Sequence, residues 1–148
     1  MSAIDDIAAA IARQEGGGCG ANNNPGNLRS WGSLPTSRGF AVFPTCDAGW
    51  QALRQQVQRN VDRGLTLEEF FGGKPGVYPG YAPAADRNQP DIYAANVSTW
   101  TGIPLGVPLD ELGSSSGFEF FPAMEEMDPA IAIGLIAIGA VLVLYAVA

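Results

Sequence analysis

The chain of 148 residues contains no histidine. That single absence removes Ser-His and Cys-His catalytic pairs, and with them every histidine-ligated metal site. Cysteine is almost as scarce. Cys19 and Cys46 are too few for a zinc site, and neither has a base to make it a nucleophile; they allow one disulfide or two buried thiols. Basic side chains number 8 against 15 acidic ones. No basic stripe exists, so nucleic acid is not an expected partner. The acidity is local. Six acids and no base fall between Asp110 and Asp128, and the preceding residues are close to neutral. Nothing near Met1 resembles a signal peptide, because acids follow at once and the first helix is amphipathic. No cofactor-binding or metal-binding pattern is found, and no cofactor or metal is expected.

What is present begins with a helix. Ser2 with Asp5 resembles a capping box, and Gly16-Gly17-Gly18 ends the segment, so a helix is expected over about 3–15. Its apolar stripe, Ile4, Ile7 and Ile11, is continued by Glu15. The steps of three, four and four keep all four side chains on one face. Glu15 thus points where the isoleucines point, at the end of the helix where the dipole disfavours a carboxylate. Both influences favour the protonated acid, and a carboxyl that keeps its proton near neutral pH is a general acid.

Downstream, "GANNNPGNLR" reads as turns, and "LRSWG" and "GFAVFPT" read as two short strands joined by "SLPTSR". Thr45 caps a second helix with Trp50, Leu53, Val57 and Val61 on one face, stopped by Gly64. Thr66 with Glu69 forms a capping box for a short third helix, flanked by the staple pair Leu65 and Phe70. A fourth helix starts near Pro90, carries Tyr93, Val97 and Trp100 on one face, and ends by Gly102. Trp50, Phe70, Phe71 and Trp100 are expected in the core, while Trp31, Tyr78 and Tyr81 sit in turns or loops where they can stack on a ligand. Asn88 either caps the fourth helix or hydrogen-bonds substrate.

The expected fold class is α+β, a mostly helical domain over 1–103 with one small hairpin. A linker rich in proline, glycine, serine and acids is expected over 104–128. A transmembrane helix is expected over 129–148, where "AIAIGLIAIGAVLVLYAVA" runs without a charge after an Asp128-Pro129 start. As a helix that run is roughly 28 Å long, close to a bilayer core.

Four segments together, "ARQEGGG", "NNPGNLR", "GFAVFPTCDAGWQAL" and "DIYAANVSTWTGI", resemble the lysozyme-like domain of phage virion-associated peptidoglycan-degrading proteins, akin to soluble lytic transglycosylases. The resemblance spans roughly Ile4 to Ile103 and implies a lysozyme-like fold. It implies that Glu15 is the catalytic acid, with Asn23, Asn24 and Asn27 shaping the turn beside it. The strand from Phe40 to Phe43 would wall the glycan groove, and Tyr93 would lie near the carboxylate. Asn24, Asn27, Phe43, Tyr93 and Asn88 are the expected substrate contacts.

The implied partner is the glycan strand of peptidoglycan, and the implied reaction closes a 1,6-anhydro ring with one carboxylate. A hydrolase would normally need a second carboxylate. Asp47 and Asp91 read instead as acids in the first turn of a helix, and Asp86 lies in a loop beside Arg87. The expected setting is the membrane of a phage virion, with lipid and other virion proteins as further partners. A structural or wall-binding virion protein on the same fold is the alternative.

Overall fold

The computed structural model describes residues 2–113. The chain forms α1 (Ala3–Gln14), β1 (Thr36–Ser37), β2 (Phe40–Ala41), α2 (Cys46–Asp62), α3 (Leu67–Gly72) and α4 (Pro90–Thr101). Short 3-10 turns occupy Ala84–Asp86 and Leu109–Gly113.

The helices start where their sequences supply caps. Ser2 and Asp5 complete a reciprocal box at α1, Thr66 and Glu69 do the same at α3, and the Thr45 hydroxyl accepts the Ala48 N–H of α2 at 3.1 Å. These bonds satisfy N–H groups that the first helical turn otherwise leaves unpaired. Gly64 and Gly102, both at positive φ, follow α2 and α4, where a Cβ would be strained.

Helix α1 packs against α2 and α4, and α3 packs on α4. Ile7 and Ile11 of α1, Leu53 and Val57 of α2, Phe70 and Phe71 of α3, and Ala94 and Val97 of α4 are all 0% exposed and form the main core. A smaller cluster of Leu28, Ala41, Phe43 and Ala52 lies under the hairpin. The loop at residues 23–25 presses directly on α2. A Cβ at Gly49 would stand 1.9 Å from the Asn23 carbonyl oxygen, so only glycine permits the approach.

Four sequence expectations are corrected. First, the hairpin turns at Arg38-Gly39, with Thr36 opposite Ala41 and Ser37 opposite Phe40. The stretch "LRSWG" is not a strand; its Leu28 carbonyl accepts one bond from Ala41 N–H at 2.8 Å. Second, Trp100 is 36% exposed, under the Arg13 guanidinium at 4.2 Å, and not a core residue.

Third, the expected linker does not begin at residue 104. Leu109 is 1% exposed, Leu105 packs on the core, and Leu109 N–H donates to the Leu65 carbonyl at 2.9 Å. The first compact unit runs over Met1–Ser115. Fourth, the expected fold class, an α+β lysozyme-like domain with a small hairpin plus a transmembrane helix, is cut back to a small α+β unit with a two-stranded sheet. No helix among the described residues is long and apolar enough to cross a membrane. The span expected at 129–148 lies outside the described residues.

Candidate functional site

Glu15 is the residue that ends α1, its N–H still bonded to the Ile11 carbonyl at 3.0 Å. The following glycines turn the chain away, and no atom stands within 4 Å of where their Cβ atoms would lie. The carboxyl is therefore fixed by the helix on one side and left open on the other.

Two side chains hold it. Tyr93 Oη donates to Glu15 Oε1 at 2.8 Å, and Asn27 Nδ2 donates to Glu15 Oε2 at 2.6 Å. Tyr93 comes from α4, 78 positions away in the chain, and Asn27 from the loop 12 positions away. Tyr93 is 8% exposed and stacks on Phe71, their ring centroids 4.4 Å apart. Burial first, then the neighbouring Tyr81 and the Glu15 charge, push the Tyr93 hydroxyl well above its ordinary pKa. It is a permanent donor at any physiological pH. The Asn27 amide carries both a donor and an acceptor, so it can serve either protonation form of the carboxyl.

The loop that presents Asn27 is fixed by its own sequence. Asn24 is 3% exposed, and its Nδ2 donates to the carbonyls of Leu28 at 2.9 Å and Ala41 at 3.0 Å. Its Oδ1 accepts from Leu28 N–H at 2.9 Å. Asn27 itself adopts φ +48°, a left-handed conformation that asparagine tolerates better than most residues. Gly26 lies against α2 and Tyr81, and the Tyr81 hydroxyl donates to the Gly26 carbonyl. Burial first, then the Glu15 and Tyr78 charges, also hold the Tyr81 hydroxyl in its protonated form. Cys19 and Cys46 are joined in a disulfide with Cα atoms 5.6 Å apart, tying this loop to the start of α2.

Glu15 opens on a groove of about 310 Å³ between this loop and the segment 78–88. Trp31, Phe40, Tyr78 and Tyr81 supply aromatic wall, and Arg29, Gln56 and Asn88 supply polar groups. Glu15 is the one carboxylate that lines it among the described residues. The three acids weighed as a second carboxylate are engaged or placed elsewhere. Asp47 and Asp91 lie in the first turns of α2 and α4, and Asp86 pairs with Arg29 at 3.2 Å.

Among the expected substrate contacts, Asn27, Tyr93 and Asn88 are at the site, although Tyr93 touches the carboxyl and does not line the groove. Asn88 does not cap α4; Gln89 holds that position without a side-chain bond. Asn24 does not line this groove; it is buried, with its side-chain hydrogen bonds going to the backbone of Leu28 and Ala41. Phe43 does not line it either. The strand expected from Phe40 to Phe43 ends at Ala41; Phe43 lies beyond it and falls with Ala41 in the small cluster, where it is 3% exposed, while Phe40 lines the groove. Sequence reading missed Arg29 and Gln56. Gln56 stands three positions after Leu53 on α2, a polar residue at the flank of an apolar stripe, and that spacing was its one available signal.

No protein-family model matches the chain, and no curated protein and no solved structure matches it.

Proposed function

We propose that this protein cleaves the glycan strands of peptidoglycan as a lytic transglycosylase, with Glu15 as the general acid and then the base. The observation that supports the reading is one carboxyl, fixed between Tyr93 and Asn27, at the edge of an aromatic-walled groove with no second carboxylate among its described lining residues.

In this reaction the Glu15 proton goes to the oxygen joining N-acetylmuramic acid to N-acetylglucosamine, and the bond to the muramic C1 breaks. The N-acetyl oxygen of the muramic sugar stabilises the cation that develops. Its 6-hydroxyl then attacks C1, and Glu15 takes back that hydroxyl's proton, leaving a 1,6-anhydro end. No water is consumed, so no second carboxylate is needed to orient one. Tyr93 and Asn27 keep the carboxyl aimed into the groove through both transfers. Precise placement of this kind is worth a large share of a catalytic barrier.

The test is clearing of purified cell walls by the full chain and by Glu15→Gln, with mass analysis of the released fragments. The expected result is clearing by the native chain alone and fragments lacking one water relative to hydrolytic products. Equal clearing by both proteins overturns the mechanism. Wall binding without clearing by either returns the non-catalytic wall-binding reading.

A further inference from the structure

A second depression, of about 430 Å³, lies on the other side of Asn27, between the disulfide-tied loop and the hairpin. Cys19, Asn22, Asn27, Ser37, Arg38 and Phe40 are among its lining residues. It shares Asn27 and Phe40 with the groove of Glu15, so the two form neighbouring parts of one surface. No carboxylate lines it among the described residues.

Arg38 is the one cation that lines it among the described residues. Most cations of the described chain are engaged. Arg29, Arg54 and Lys74 form ion pairs with Asp86, Asp5 and Glu69. Arg13 and Arg59 lie over Trp100 and Trp31, and Arg63 bonds Asn60. Arg38 has no such partner; Arg87 has none either and is also left-handed at φ +64°, but it lines neither the groove nor this depression. Arg38 is exposed at the tip of the hairpin. With Gly39 it makes the two-residue hairpin turn, at φ +53° and +84°. That pair of left-handed residues is the type I′ pattern, whose first position favours Asn, Asp or Gly. An arginine there strains the backbone, and what sets Arg38 apart from the equally left-handed Arg87 is its place on the depression.

We propose that Arg38 and this depression form a subsite for a carboxylate borne by the glycan, such as the lactyl acid of muramic acid or the peptide stem attached to it. The inference rests on the glycan-cleaving reading of Glu15. It makes the protein select acid-bearing glycans over neutral N-acetylglucosamine polymers. The guanidinium fork suits a carboxylate in two parallel hydrogen bonds, which a point charge matches less well.

The test measures binding to the full chain carrying Glu15→Gln, so that no probe is consumed. One probe is an oligosaccharide of alternating N-acetylglucosamine and N-acetylmuramic acid with free lactyl carboxylates. The other is a neutral chito-oligosaccharide of equal length. The acidic probe is expected to bind about tenfold tighter, as one charge-assisted contact allows. Adding Arg38→Asn should abolish that preference, leave neutral-probe affinity unchanged and not lower the melting temperature; Arg38→Lys should keep part of the preference. Equal binding of both probes, binding of neither, or a preference that survives Arg38→Asn overturns the subsite. If the Glu15 chain clears no wall and yet the preference vanishes with Arg38→Asn, the subsite stands and the cleavage reading falls. If walls are cleared and the preference is indifferent to Arg38, the reverse holds.

Discussion

Replacing Cys19 and Cys46 together by serine should cost the fold about 3.5 kcal/mol. The bond closes a loop of 27 positions. Chain-entropy accounting for such a loop gives a loss of roughly 12 cal/mol/K in the unfolded ensemble, hence about 3.5 kcal/mol at room temperature. A domain of this size is typically stable by about 5–15 kcal/mol, so the loss is a substantial part of the whole. Little else compensates, since Gly16, Gly17, Gly18 and Gly20 have open space where side chains would pack. In urea, with a slope of roughly 1.5 kcal/mol per molar, the unfolding midpoint should fall by about 2 M. The measurement is urea unfolding followed by circular dichroism, on the native chain oxidised and reduced and on the double variant. The reduced chain and the double variant should coincide. A native midpoint that moves by less than about 0.5 M on reduction would refute the reasoning, because the link would then constrain nothing that folding needs. Asn27 lies inside the same loop, so wall clearing should fall with the midpoint under reducing conditions.

Tyr93→Phe removes the donor to Glu15 Oε1 and keeps the ring on Phe71. A hydrogen bond to the protonated carboxyl that the reaction needs is worth about 0.5–1.5 kcal/mol, so the wall-clearing rate should drop about two- to tenfold and the melting temperature should fall by a few degrees; an unchanged rate contradicts the site. Asn24→Ala strands the buried Leu28 N–H and removes two donated bonds, and should destabilise the fold by about 2–4 kcal/mol in urea unfolding. Acid should also weaken the fold. The bond from Lys74, followed by the Thr66 backbone, holds the Glu69 carboxyl below its ordinary 4.5, and the Arg54 and Ser2 bonds hold Asp5 below 3.8. Both carboxyls are depressed in the folded state. Their contribution is complete above those ordinary values and is lost as pH falls through the lower folded ones. Unfolding midpoints compared at pH 6 and pH 3 should show this loss, and Glu69→Gln should lessen it.

The helices were legible because their signals are local. Ser2 with Asp5, and Thr66 with Glu69, announce starts within four residues, and the glycines after each helix announce ends. The stripe from Ile4 to Glu15 likewise fixed which way Glu15 faces, since one helix turn determines it. The hairpin was less legible. Turn chemistry favours Asn or Gly at its first position, and Arg38 carries the opposite signal. Trp100 was misplaced because helical spacing shows which residues share a face, not how far the neighbouring elements cover it.

By itself the sequence determined the helix starts and stops, the orientation of Glu15 and the absence of any histidine chemistry, because each depends on residues a few positions apart. Only the tertiary structure decided that Asn27 and Tyr93 grip the two oxygens of Glu15, that Asn24 is spent on backbone, and that Phe40 rather than Phe43 faces the groove. Those outcomes follow from the packing of α4, the loop and the hairpin around the end of α1. The contacts close over 12 and 78 positions of chain, distances across which no spacing pattern carries information.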